Sequence, residues 1–465
     1  MINFVSKTIL LLAIFLMLPI QHVFAVSDPR ATSNNKVGIN IMSPEAEIED
    51  AATLVNTDGD WGYVVIILTR NERNVERLQA ILDRTLDQHL IPIIRLATEF
   101  DAGNGYWKRP EERDAKEWAD FLSKLHYPTR NRYIQVYNEV NRAAEWGGKV
   151  DPADYAKELS KTTAALKAKS GDFFILNAPL DLALASSVNS LDASLYFEAM
   201  NDSIPGIFAK LDGLASHSYP NPAFSASPSE RGRIKINGFS WELDQISRYS
   251  DKDLPVFITE TGWVRGASGL SEEVISQYYE DAFRNAWNDN RVVVVAPFLL
   301  SYPEPLFNEF SFKSDGSDPN KPYYKYFSAI RDMPKVKGEP ERRNILSNFK
   351  IDKQDYISQN SGDSINFEFK NMGNYLWEPG KDLEIKILGQ NIIVNKTLWS
   401  KKDVYPGNEI GALINIRSVI GGVIPLEIQV VSNNEILVRK EITIHINSPF
   451  SGSVLSVKSS SAAFR

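Results

Sequence analysis

Apolar residues fall into two textures along this chain. Through residues 33–334, short continuous apolar runs alternate with longer stretches in which apolar positions recur every three or four residues. Short runs rich in β-branched and aromatic residues predict buried strands, and the longer period predicts amphipathic helices. The strand-like runs are 37–41, 62–68, 91–96, 133–136, 173–176, 213–217, 254–260 and 292–296. Between them, Val75, Leu78, Leu82 and Leu86 share one helical face, and helical patterns also cover 115–125, 152–169, a stretch opening at Ser271, and 323–331. Ser43-Pro44 and Asp151-Pro152 each supply a capping residue followed by a first-turn proline. Glu45 and Glu47 add acid near the positive end of the first helix. Eight strand–helix units in about 300 residues predict a closed (β/α)8 barrel, an α/β TIM-barrel fold. An open doubly wound sheet is the rival. No glycine-rich phosphate loop follows the first strand, and eight regular units favour closure.

After Pro334 the pattern changes. The charged stretch 335–344, with Gly338 and Pro340, reads as a linker. From 345 to 447 short runs alternate apolar and polar residues, as in 364–370, 383–388, 410–416, 425–431 and 442–446, with turns at Pro379-Gly380, Pro406-Gly407 and Gly421-Gly422. This predicts a small all-β sandwich of immunoglobulin-like type. The serine-rich end, 448–465, predicts a disordered tail.

The N-terminus changes the expected compartment. Lys7 precedes an apolar run over 8–20, and Val23, Phe24 and Ala25 place small residues at the two positions a signal peptidase reads. The run is short for a membrane span. Residues 1–25 are therefore read as a signal peptide cleaved after Ala25, with an uncleaved anchor as the alternative. The chain holds no cysteine, which removes disulfides, thiolate metal sites and cysteine nucleophiles. Export without disulfides fits a secreted or envelope-associated bacterial enzyme with a large core. The 465-residue chain is 43% hydrophobic and 24% charged, ordinary for a globular protein. Its net charge of -8 weighs against nucleic acid as a partner. None of the histidines past the leader, His89, His126, His217 and His445, has metalloprotease-like spacing, so neither metal nor cofactor is expected.

Two of the apolar strands end in a carboxylate. The fourth runs into Asn138-Glu139, and the seventh into Glu260, followed by Thr261, Gly262 and Trp263. A carboxylate at the end of a buried strand is expensive unless a site uses it. In a barrel the carboxyl ends of all strands share one mouth, so strands four and seven bring the two glutamates together where barrel active sites lie. Paired carboxylates are what acid/base and nucleophilic attack on a glycosidic bond require.

Asn138-Glu139 on strand four, His217 and Tyr219 on strand six, and Glu260 with Gly262 and Trp263 on strand seven together resemble clan A of the retaining glycoside hydrolases, the barrel superfamily of cellulases, mannanases and xylosidases. The resemblance covers residues 36–333. It implies Glu139 as acid/base and Glu260 as nucleophile. It implies that Asn138 contacts the sugar 2-hydroxyl, that Tyr219 hydrogen-bonds Glu260, and that His217 sits beside the acid/base. The clan usually carries an arginine near the end of strand two to support the nucleophile. Arg70 and Arg95 both compete for that part, and Arg95 is favoured because it interrupts an apolar strand. The clan's usual tryptophan on strand eight is missing, leaving Phe298 or Tyr302 as the sugar platform.

Trp107, Trp146 and Trp263 lie in carboxyl-end loops as candidate sugar-stacking residues, against the alternative that each covers the core. Asn141, Arg142 and Glu145 are candidates to contact sugar hydroxyls, with Glu99 and Asp101 weaker ones. The expected partner is a β-linked poly- or oligosaccharide, with cell-surface or glycan attachment through the C-terminal domain. The rival function is a non-catalytic glycan-binding or adhesion protein that uses the barrel cleft or the sandwich.

Overall fold

A computed structural model describes residues 26–266, 270–305 and 307–447. The signal peptide and the serine-rich tail expected from the sequence lie outside the described residues.

Eight parallel strands form the barrel: β1 Gly38–Ile41, β2 Gly62–Thr69, β3 Leu90–Ala97, β4 Arg132–Val136, β5 Phe173–Leu176, β6 Leu214–Ser216, β7 Val256–Thr261 and β8 Val292–Pro297. Continuous ladders join β1 through β5, and β6 through β8. Parallel bridges Leu176–Gly213 and Val37–Val295 join the two groups at both seams, so the sheet closes on itself. Eight helices accompany the strands among the described residues: α1 Pro44–Asn56, α2 Val75–Asp87, α3 Asp114–Leu122, α4 Pro152–Lys169, α5 Ala193–Ser203, α6 Gly238–Ile246, α7 Glu272–Arg284 and α8 Lys325–Asp332.

Strand parity divides the core into two layers. Val64, Ile66, Ile94, Leu96, Ile134, Val136, Val256 and Ile258 pack outward against the helices. Tyr63, Ile91, Ile93, Tyr133, Phe174 and Phe257 fill the interior. The rings of Tyr133, Phe174 and Phe257 meet at centroid distances of 4.9 to 5.4 Å, in tilted contact. Gly213 gives them room. A Cβ there would lie 2.9 Å from both Phe174 and Phe257, closer than a real side chain tolerates. By the parity of Ile91 and Ile93, Arg95 points inward, above this aromatic plug.

Capping departs from expectation at α1. Ser43 makes no side-chain cap bond. Instead Glu47 reaches back, its carboxylate accepting from the amides of Met42 (2.8 Å) and Ser43 (2.9 Å). At α4 the cap is the expected one, with the Asp151 side chain accepting from the Asp154 amide at 3.1 Å.

Residues 346–447 form two packed sheets. Strands β9 Leu346–Asp352, β11 Gly362–Asn371, β15 Glu409–Ser418 and β13 Ile392–Val394 make the first, with the short β14 Leu398–Trp399 also pairing β15. Strands β10 Tyr356–Ser358, β17 Glu435–Asn447, β16 Gly422–Ser432 and β12 Leu383–Leu388 make the second. Alternate residues such as Phe367, Phe369, Ile414, Ile428 and Val430 enclose the core around Trp377.

The stretch 335–344, expected as a linker, is a docked strap. Lys335 Nζ donates to the carbonyls of Thr57 (3.0 Å) and Ile330 (2.9 Å). The Arg342 guanidinium lies between the rings of Trp61 (5.0 Å) and Tyr375 (3.9 Å). Arg343 pairs Asp172 at 2.9 Å. The sandwich adds Asn374, which donates to the Tyr127 and Thr129 carbonyls, and the Tyr405 hydroxyl on Asp87 at 2.9 Å. The charges that read as those of a linker are thus engaged in contacts. Trp61, Asp87, Thr129 and Asp172 all precede strands, so the sandwich covers the barrel's amino-terminal end, opposite the mouth.

Candidate active site

Strand β4 stops abruptly. Past Val136 the backbone turns into the left-handed region at Tyr137 (φ 70°) and again at Glu139 (φ 31°). Side chains with a Cβ rarely adopt that conformation, which costs on the order of 1–3 kcal/mol per residue and persists where the surroundings impose it. Here Gln135 Nε2 donates to the Tyr137 carbonyl at 3.1 Å, and the Tyr137 ring is wedged edge-on against Trp146. The distortion carries Glu139 off the strand line and into the mouth.

Glu260 lies at the end of β7. Its neighbour Thr261 is tied to the loop after β6 by a 2.7 Å bond from Oγ1 to the Ser218 carbonyl. His217 follows β6 and is fully buried. The serines on either side of it are fixed: Ser216 Oγ donates to buried Glu242, and Ser218 Oγ accepts from the Phe239 amide of α6.

These elements converge. One oxygen of Glu139, one of Glu260 and a ring nitrogen of His217 all lie within 4.8 Å of one another. His217 Nδ1 is 2.9 Å from Glu139 Oε1 and 3.6 Å from Glu260 Oε2. Arg95 Nη1 donates to Glu260 Oε1 at 2.7 Å, and the Tyr219 hydroxyl donates to Glu260 Oε2 at 3.1 Å. The two carboxylates are therefore dressed differently. Glu260 receives a permanent cation and a phenol, whereas Glu139 faces an imidazole and Arg142, whose Nε is 3.2 Å from Oε2.

The electrostatics follow from these contacts. Burial pushes the Glu139 carboxyl up. The hydrogen bond and charge of His217, with Arg142 and Arg95 behind, outweigh it and hold the group below the usual carboxylate range. Burial pushes His217 down, yet the charge of Glu260 and the bond to Glu139 raise it above its ordinary value. The two directions agree in favouring an imidazolium paired with an ionised Glu139, with Glu260 Oε2 3.6 Å from the same ring nitrogen. Burial drives the Tyr219 phenol well up, so it stays a donor. Nearby Glu145 is pushed up to about 7, chiefly by burial.

Three donors at this spacing could in principle close on a cation. The carboxylates are already paired with the guanidinium groups of Arg95 and Arg142, and the imidazole carries a proton toward them. The cluster is built for proton transfer, and a divalent ion would have to displace fixed positive charge.

Of the other expected residues, Asn138 is half-buried with an Oδ1 that has no partner among the described residues, leaving it free for a ligand hydroxyl. Arg70 belongs elsewhere, paired with Asp114 and Glu111 at 2.9 Å. Trp146 and Trp263, expected as sugar platforms, are core residues. Trp146 is 1% exposed, packed between Tyr137 and Tyr155, with its indole nitrogen on Asp154. Trp263 is 2% exposed, packed against Tyr279 and Trp287, with its indole nitrogen on the Ala226 carbonyl. Neither has a ring face left for a sugar. Trp107 is half-buried and lines a recess with Arg95, Asn138 and Glu145. Tyr302 is half-buried, its ring edge-on to Phe307, beside an apolar patch of Val264, Leu299 and Phe310 that also takes in Tyr219, Phe224 and Phe298. Phe224 and Phe310 join this wall without any signal in the sequence. Asp181, which pairs with Arg142 at 2.6 Å, was also missed, although its position just past β5 resembles that of the two glutamates.

No protein-family profile and no curated protein matches this sequence. Solved structures align over most of it. A family 39 glycoside hydrolase from the gut symbiont Bacteroides cellulosilyticus WH2 shares 10% identity over 84% of this chain and 82% of its own, with a TM-score of 0.45. A glucosidase from Croceicoccus marinus shares 9% over 84% of this chain and 96% of its own, with a TM-score of 0.49. A glycoside hydrolase family 5 enzyme from Prevotella bryantii B14 shares 15% over 66% and 98%, with a TM-score of 0.39. At such distances the geometry of the chain itself has to carry the functional reading.

Proposed function

We propose that this protein is a retaining glycoside hydrolase that cleaves a β-linked glycan by double displacement. The observation that carries the reading is the unlike pair: carboxyl oxygens within 4.8 Å across the mouth, one held by arginine and tyrosine, the other by histidine. Retaining enzymes separate their carboxyls by about 5–5.5 Å, whereas inverting enzymes need about 6.5–9.5 Å to admit a water.

In the first step a Glu260 oxygen bonds to the anomeric carbon as the bond to the leaving oxygen breaks. That bond's electron pair goes to the leaving oxygen, which takes a proton from Glu139, and Glu139 in turn draws that proton from His217 Nδ1, 2.9 Å from its Oε1. In the second step water attacks the same carbon, its proton passes to Glu139, and the Glu260 carboxylate departs. Glycosylation removes the Glu260 charge, the largest influence holding His217 above its ordinary value. The imidazole, having given up its proton in the first step, then competes less for another, and Glu139 is left as the group that accepts one from water. Asn138, with its free oxygen, fits the sugar 2-hydroxyl. Export through residues 1–25 fits an extracellular polymer as substrate.

Aryl β-glycosides with graded leaving groups test the assignment. With Glu139→Gln, the expected loss is about 10²–10⁴-fold on poor leaving groups and far less on good ones, because only poor ones need the proton. An equal loss on both would contradict the acid/base role. Product anomers followed by NMR should retain configuration.

A further inference from the structure

Both oxygens of Glu139 are taken at rest: Oε1 faces His217 Nδ1, and Oε2 faces Arg142 Nε. A general acid so engaged cannot deliver a proton to a leaving oxygen until one partner yields. His217 is buried between fixed serines and cannot move far. Arg142 is different. Its side chain is 45% exposed, and its main anchor is Asp181 rather than Glu139, with Nη2 at 2.6 Å and Nε at 3.1 Å from the same Asp181 oxygen. Asp181 is itself held by the Ala183 amide (2.9 Å) and by the Asn141 side chain on its own amide (3.0 Å). The hydrogen bonds of Arg142 thus go to Asp181, its approach to Glu139 Oε2 is an ion-pair contact at 3.2 Å, and giving up Glu139 leaves the Asp181 bonds intact.

We infer that Arg142, braced by Asp181, is a positioning residue that guards Oε2 of the acid/base Glu139 and yields that oxygen to the leaving group when substrate binds. The inference rests on the glycosidase reading for its catalytic meaning, though not for the contact itself. The other charged or titratable groups facing Glu139 are His217 and Tyr219 from the loop after β6, Glu260 from β7, Arg95 from β3 and Glu145 from its own loop. Arg142 is the exposed cation of the set, and Asp181 offsets it from the β5 side. The pair therefore predicts shifts of opposite sign. Without Arg142, Glu139 loses a stabilising cation and keeps its proton to higher pH. Without the Asp181 charge, the guanidinium acts on Glu139 undivided, and the proton is lost at lower pH.

The test uses Arg142→Met, Arg142→Lys and Asp181→Asn in the full chain, with two readouts. One is the alkaline limb of kcat/KM on aryl glycosides, which reports loss of the acid's proton. The other needs no turnover: carbon-13 NMR titration of glutamate-labelled protein, with the Glu139 signal assigned through Glu139→Gln. Arg142→Met should move both upward by about half a unit to one unit, within the effect of one neighbouring charge. Asp181→Asn should move both downward, and Arg142→Lys should stay near the parent. Shifts of the same sign, or no shift in the titration of folded variants, would overturn the guard. Opposite shifts in the titration, with no hydrolysis by the parent across the glycoside panel, would uphold the guard and sink the glycosidase reading instead.

Discussion

The two ends of the barrel obey opposite rules. At the amino-terminal end, aromatic side chains plug the interior, Arg342 is stacked between two rings, and a second domain covers the strand entries. At the carboxyl end, the chain departs from ideal backbone at Tyr137 and Glu139 and gathers two carboxylates, two arginines and an imidazole in one place. Left-handed backbone also occurs where strands begin, at Lys36 and His89, so the ends differ in the charge they gather rather than in backbone strain. The contrast indicates that stability and chemistry have been separated along the barrel axis, so mutations at the two ends should fail in different ways.

The sharpest break is expected at the mouth. Glu260→Ala should lower turnover on the order of 10⁴-fold or more, as loss of a nucleophile does, while the melting temperature stays near that of the parent. A large drop in melting temperature would mean that the residue also holds the fold. At the other end Phe257→Ala should do the reverse. Removing that ring from the plug should destabilise the protein by about 3–5 kcal/mol, with KM unchanged in the fraction that remains folded. Denaturant unfolding of the two variants side by side measures the separation directly.

Glu242 lies between these extremes. It is fully buried behind His217, hydrogen-bonded to Ser216, and pushed up to about 7 by burial. A carboxyl that holds its proton more tightly when folded contributes stability at low pH. That stability declines as pH rises from the unfolded value near 4.5 through 7. The loss is about 3 kcal/mol by the linkage relation. Glu242→Gln should flatten this decline between pH 5 and pH 8, measured by thermal unfolding, whereas an unchanged pH dependence would show that Glu242 does not titrate there. The smallest effect is expected from Tyr405→Phe, which removes a half-exposed hydroxyl from Asp87 at the domain contact. About 1 kcal/mol or less should be lost, with activity untouched.

Most of the barrel was legible because periodicity separates strands of 3–8 residues from amphipathic helices, and because Glu139 and Glu260 interrupt apolar runs at their ends. What escaped depended on residues distant in sequence. Trp146 follows a polar loop and reads as exposed; it is buried because Tyr137 and Tyr155 arrive from either side. Trp263 is similar, enclosed by Tyr279 and Trp287 from the following helix and loop. The 335–344 strap has the composition of a linker, and Arg342 finds rings to lie on because the fold brings Trp61, from just before β2, and Tyr375 of the sandwich to it. The Arg142–Asp181 pair joins loops after β4 and β5, a contact that composition cannot announce.

The docked strap has a mechanical corollary. Because the sandwich grips the barrel at the pole away from the mouth, any scaffold holding the sandwich would aim the opening outward, like a lamp on its base. The fixed strap would keep that aim from swivelling.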